Sequence, residues 1–327
     1  MNRVPDAGKP LGMTLVLLMV AALAPDVSVS QAQQPAGDRA ADTARVKSFR
    51  VDGSPQAMVF DGTNIWVASS ASNTVRKLRA KDGVELGKYE VGERPSALAF
   101  DGTYIWVANL YDNDVMKMRT DGQVVGIFPA GKQPNALLFD GTAVWVANSK
   151  SNSVMKLRVS DGTRLGTYKV GPRPMALAYD GNNLWVTNTS GNSVTKLRAS
   201  NGEVLGTFSA GNSPIGIAFD GANLWVANFY KSSVTRLQAL DGAILDTFDV
   251  EDGPSGVTFA GGYVWIINYG AGTISKIEPR YGTVIRTLAV GHGPSAAIFD
   301  GHNLWVTNSG SNVVMKIRQE PDSVPAN

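Results

Sequence analysis

The apolar and polar positions of this chain fall into short runs broken by turn residues. Between Pro214 and Asn228 it reads PIGIAFDGANLWVAN, a run of apolar residues, an Asp-Gly pair, and a second run that alternates toward Asn228. Runs of about four to eight residues rich in β-branched and aromatic side chains, bounded by Gly, Asp, Asn and Pro, predict strands rather than helices. The pattern predicts four strands here: Ile215 to Phe219 (a), Asn223 to Asn228 (b), Ser233 to Leu237 (c) and Ala243 to Val250 (d). Asp220-Gly221 and Asp241-Gly242 separate a from b and c from d. Asp-Gly suits tight turns, because Gly adopts positive φ without steric cost.

The same unit recurs along the chain. All seven tryptophans (Trp66, Trp106, Trp145, Trp185, Trp225, Trp265 and Trp305) stand at intervals of 40, 39, 40, 40, 40 and 40 residues. A period near 40 fits helical solenoids or propeller blades, and the strand pattern selects blades. Four antiparallel strands in each of seven units predict an all-β fold, a seven-bladed β-propeller. The seventh copy stops after strand c, Val313 to Arg318, while VKSFRV at Val46 to Val51 has the strand d pattern. The N-terminal strand is therefore expected to complete the last blade, since an open ring would leave sheet edges unpaired.

Leu304-Trp305-Val306-Thr307-Asn308 and Val290-Gly291-His292-Gly293-Pro294 resemble YVTN-type β-propeller repeats, and the resemblance covers residues 46–318. It implies an exported or periplasmic seven-bladed propeller. The fold so implied is similar to that of streptogramin lyases and of NHL-repeat proteins, folds on which more than one activity is built.

Positions present in every copy solve a problem that every blade has. They include the Trp series, Pro55, Pro95, Pro134, Pro174, Pro214, Pro254 and Pro294, and Asn109, Asn148, Asn188, Asn228, Asn268 and Asn308, with Ser69 in blade 1. Pro can open an inner strand, where its missing N–H is tolerated. The Asn residues are expected to bond turn backbone. A basic residue stands eleven after each Trp: Lys77, Lys117, Lys156, Lys196, Arg236, Lys276 and Lys316. Antiparallel pairing of b with c puts this cation over the indole, worth about 0.5–1 kcal/mol at exposed sites.

Before the repeats, Arg3 and Lys9 precede an uncharged run from Leu11 to Ala24 and the small-x-small triplet Ser30-Gln31-Ala32. That is the layout of a cleaved export signal; 14 apolar residues are short of the ~20 that span a bilayer. The expected organisation is a signal peptide over 1–32, a flexible leader over 33–45, the propeller over 46–318 and a C-terminal tail over 319–327. A periplasmic or secreted location and no transmembrane anchor follow. With 30 basic and 28 acidic residues the net charge is +2, too little to suggest a nucleic-acid partner. The absence of cysteine excludes disulfides and thiolate chemistry. No motif calls for a cofactor or metal, and a monomer is expected.

Strand order places the d–a and b–c connections on one face, the top, and the a–b and c–d turns on the other. The bottom turns repeat, whereas the top loops differ between blades. Top-face candidates for ligand binding are the aromatics Tyr111, Phe229, Tyr230 and Tyr269, with Lys231, and the cations Arg94, Lys132, Lys150 and Arg173 of blades 2 to 4. Aromatics in loops held by a rigid scaffold supply binding surface. Glu93 and Asp112 are interspersed, and Glu251, Asp252 and Asp52 lie before blades 6 and 1. The expected function is a non-catalytic exported module binding a protein, glycan or small molecule through these loops. The alternative is a lyase- or lactonase-like enzyme using His292 with Glu251 and Asp252. The resemblance to streptogramin lyases implies a histidine acid/base centre with acidic metal ligands, yet His292 is flanked by Gly291 and Gly293. The other histidine, His302, belongs to a bottom turn.

Overall fold

The computed structural model describes residues 46–318. They form seven antiparallel sheets of four strands each, closed into a propeller. The expected signal peptide, leader and tail lie outside the described residues. In blade 5 the strands are Pro214–Phe219, Asn223–Asn228, Ser233–Gln238 and Ile244–Asp249. Pro214 joins strand a because it pairs with Asn228 at the far end of strand b. Val250 falls outside strand d, and its N–H bonds Ser232 O at 2.9 Å in the top loop. Single 3-10 turns at Thr189–Gly191 and Phe229–Lys231 in b–c loops were not expected.

Ring closure follows the predicted route. Val46–Arg50 pairs antiparallel with Val313–Arg318, in the register Val46↔Ile317 to Arg50↔Val313. Val51, expected inside this strand, lies just beyond it and still donates its N–H to Asn312 O at 2.9 Å.

The a strands of successive blades lie against one another around the axis, so the d strands form the rim. Blades 5 and 6 approach through glycine: a Cβ on Gly216 would stand 2.6 Å from the Gly256 Cα. The other five blades carry Ala at this position.

The seven indoles are buried between blades. Trp66, for example, packs with Ile105 and Val107 of blade 2, and Trp305 with Ile65 and Val67 of blade 1. The basic residue lies directly across from each Trp, as Lys196 does from Trp185, at 4.8–5.7 Å from the ring centroid across the seven blades. In six blades a strand d aromatic packs on the indole at 5.6–5.8 Å, stacked for Phe49, Tyr89 and Phe248 and tilted for Phe128, Tyr168 and Phe208. The cation also reaches across the blade boundary, which sequence spacing did not suggest. Lys77 Nζ donates to Thr120 O at 2.8 Å, Lys196 to Ala239 O at 2.8 Å, and Lys316 to Ala80 O at 2.7 Å across the closure. Each of these acceptors lies at the c–d turn of the following blade.

The Asp of the a–b turn does more than permit a tight bend. Asp180 Oδ1 accepts the backbone N–H groups of Asn182 and Asn183, while Oδ2 accepts the Trp185 indole N–H at 2.8 Å. Blade 6 has Ala260 there, and its carbonyl receives the Trp265 indole at 3.3 Å. The repeated Asn is fully buried. In blade 3 it bonds loop backbone as expected, Asn148 Oδ1 accepting the Gly131 N–H at 3.0 Å, whereas in blades 4 to 6 its amide N–H bonds strand c hydroxyls, as Asn188 does to Ser193 and Thr195.

Candidate functional site

The top face is organised by a ring of residues in the left-handed region. The residue before each inner-strand Pro has positive φ: Ser54 (59°), Arg94 (57°), Gln133 (55°), Arg173 (59°), Ser213 (57°), Gly253 (62°) and Gly293 (63°). Such a φ is uncommon for residues other than Gly. The five non-glycine positions are each held by an Asn from the b–c loop of the preceding blade. The carboxamide oxygens of Asn312, Asn73, Asn113, Asn152 and Asn192 accept the N–H groups of Ser54, Arg94, Gln133, Arg173 and Ser213 at 2.8–2.9 Å.

Blades 5 and 6 lack this Asn, having Ser232 and Gly272 instead, and the facing residues are Gly253 and Gly293. Glycine needs no assistance at positive φ. The surroundings are close: a Cβ on Gly253 would lie 2.8 Å from Gly270 N and 3.4 Å from Phe229 Cε2, and one on Gly293 would lie 3.1 Å from Ser309 Oγ and 3.2 Å from Tyr269 Cε2. Phe229 and Tyr269 are therefore half-buried wedges leaning over the next blade. Tyr230, 64% exposed, meets Phe229 edge-on at 5.3 Å. Among the described residues Tyr269 forms no aromatic pair with them. The three aromatics share one sector of the top face without forming a single stack.

The cations of blades 2 to 4 occupy the adjoining arc. Arg94 Nη1 donates to the Tyr111 hydroxyl at 2.5 Å, and its guanidinium lies 5.0 Å from that ring. Lys132 and Lys150 are exposed and joined through backbone, Lys150 N–H to Lys132 O at 3.1 Å. Arg173 is half exposed, and Lys231 is exposed on blade 5. None of these five has an ion-pair partner among the described residues. On the bottom face four arginines, Arg79, Arg119, Arg158 and Arg198, pair with Asp82, Asp121, Asp161 and Glu203 at 2.7–3.2 Å, while Arg280 lies over the Tyr281 ring at 5.2 Å.

The acidic groups nearby are partly committed. Asp112 Oδ2 accepts the Glu93 N–H at 2.6 Å. Burial pushes the Asp114 carboxyl above its ordinary range, Asn109 opposing through a hydrogen bond and Asp112 adding to the rise. Asp52 pairs with Arg50 at 3.0 Å. Asp252 accepts from Ser232 Oγ at 3.4 Å, while Glu251 is exposed. His292 is exposed on the following top loop, its N–H bonded to Ser311 Oγ at 3.1 Å and its carbonyl to Gly310 N–H. Among the described residues no three His, Asp or Glu side chains are placed to hold a metal ion.

Sequence reasoning missed the Asn clamps, although an Asn in the fourth place of five b–c loops was visible. On the bottom, Tyr104 and Tyr263 are occupied by Lys117 and Lys276 at 3.9 and 3.6 Å, whereas Tyr281 is 66% exposed.

No protein-family model matches the sequence, and neither does any curated protein. Solved structures do match. A catalytically inactive virginiamycin B lyase from Staphylococcus aureus, determined with quinupristin, has a TM-score of 0.72 at 17% identity, covering 84% of this chain and 99% of that one. A streptogramin B lyase gives 0.72 at 19%, over 84% and 97%. U3-55K gives 0.75 at 13%, over 85% and 99%. These likenesses establish the seven-bladed propeller class. Two of them are lyases and one is U3-55K, and at 13–19% identity they show the fold and not the activity.

Proposed function

We propose that this chain is an exported binding module that holds its ligand on the top face. The observation that carries the reading is the contrast between the faces. The bottom is a repeated set of turns in which four arginines pair with acidic residues, whereas the top carries a run of cations without such partners and an exposed Tyr230 on a closed ring. A rigid scaffold displaying irregular loops is a common way to build a site. Export rests on the Leu11 to Ala24 run and the Ser30-Gln31-Ala32 triplet.

The test is a ligand library read by thermal shift, with hits mapped by hydrogen exchange. Protection should fall on the d–a and b–c loops. Tyr230→Ala should weaken a top-face hit at least tenfold, about 1.4 kcal/mol, without loss of folding. Tyr104→Ala with Tyr281→Ala should leave it unchanged. Protection confined to the bottom turns would overturn the reading.

A second reading, lyase-type chemistry by His292 with Glu251 and Asp252, is favoured by the exposure of all three in successive d–a loops of the top face and by the lyase likeness. If His292→Ala abolished turnover of a substrate by the purified protein, that reading would replace the first.

A further inference from the structure

We infer that the channel mouth over blades 2 to 4 is a site for a ligand carrying two or more anionic groups, carboxylate, sulfate or phosphate. The inference rests on the top-face reading and names the chemistry of the ligand. The a strands surround the axis, so the residue preceding each inner-strand Pro stands at the mouth of the channel. Three consecutive blades place Arg94, Gln133 and Arg173 there, and blades 6 and 7 place Gly253 and Gly293. The mouth therefore has an arc of long hydrogen-bond donors facing an arc with no side chains.

Two features separate this arc from ordinary surface charge. Its backbone is fixed: Asn73, Asn113 and Asn152 clamp the three N–H groups from the preceding blades at 2.8–2.9 Å. Glycine would take the same φ at lower cost, as it does at Gly253 and Gly293, so the scaffold supports side chains where none is needed for the turn. Its charge is also unmet by carboxylates, although Arg94 is held against the Tyr111 hydroxyl and ring. Arg94, Lys132, Lys150 and Arg173 have no ion-pair partner among the described residues, whereas four bottom arginines do. Glu93 and Asp112 are the exposed carboxylates of this arc, and one Asp112 oxygen is taken by backbone. Cationic groups held on fixed backbone, with guanidinium forks, suit oxyanions.

Titration calorimetry at low ionic strength with tricarballylate, pyrophosphate and tetragalacturonate separates small carboxylates, phosphates and acidic glycans. At least one should bind. Arg94→Gln with Arg173→Gln should weaken it at least tenfold; Gln133 shows that the chain accommodates Gln at this backbone position. Lys132→Glu, a change at an exposed position, should do the same in a protein of unaltered circular dichroism. The bottom pair Arg158→Gln with Arg198→Gln should have no effect. Absence of binding by all three probes, or equal weakening by the bottom pair, overturns the inference. If the probes fail while an uncharged hit still protects the top loops, only the anionic class is lost. If they bind and protect only the bottom turns, both proposals fall.

Discussion

The carboxamide of Asn152, in blade 3, accepts the backbone N–H of Arg173, in blade 4, at 2.9 Å, and both residues have positive φ. Five of the seven blades thus support a strained residue in the next. Beyond the strain of placing Ala at the positive φ of residue 152, Asn152→Ala should lose the net worth of the hydrogen bond, about 0.5–1.5 kcal/mol. Arg173→Gly in the same chain should recover much of that loss, because Gly needs no clamp. Equal losses from Asn152→Ala in the Arg173 and Gly backgrounds, by denaturant titration, would reject the coupling.

Ring closure predicts a threshold in N-terminal truncation. Removing residues 1–44 leaves the pairing of Val46–Arg50 with Val313–Arg318 intact, whereas removing 1–51 deletes the outer strand of blade 7 and the Phe49 ring stacked on Trp305 at 5.6 Å. The melting temperature should fall steeply only for the longer deletion.

The interblade reach of the basic residues raises what each is worth. Lys196 lies over Trp185 and donates to both Ala239 O and Leu240 O. Its removal should cost about 1.5–3 kcal/mol, the range for hydrogen bonds to charged groups, rather than the smaller cation–π value alone. Lys196→Met, which keeps the apolar stem, should lose nearly as much as Lys196→Ala. Trp185→Ala should cost about 3–5 kcal/mol. A double-mutant cycle between Trp185 and Lys196 with no coupling would contradict the geometry.

Stability should decline in acid through the turn aspartates. Burial alone would raise Asp61, Asp140, Asp180 and Asp300, but indole and backbone N–H donors hold each below 3.8. Their stabilisation is complete above the unfolded value and is lost as pH falls through the lowered folded values. Asp180→Asn should lower stability at neutral pH and flatten the acid limb, read as melting temperature against pH.

The fold was legible because period-2 patterning and turn chemistry repeat seven times, so errors in one blade are corrected by the others. Blade number, strand order, ring closure and the pairing of Trp185 with Lys196 all follow from spacing. What spacing does not encode is contact between blades. The clamp of Asn152 on Arg173 and the reach of Lys196 to Ala239 join residues 21 and 43 positions apart that are brought together by the rotation from one blade to the next. The candidate site was legible as a face but not as an arrangement. Phe229, Tyr230 and Tyr269 looked alike as loop aromatics, yet two lean over glycines and one projects freely, a difference set by side chains missing from the next blade.

The closing strand also fixes how the propeller can be displayed. Val46 pairs with Ile317, so the first described strand starts and the last one ends on the bottom face. A linker, tag or surface tether joined directly at Val46 or Arg318 would therefore leave from that side. Immobilised through these two strand ends, the propeller would turn its irregular loops outward, and a ligand arriving from solution would meet them without crossing the point of attachment.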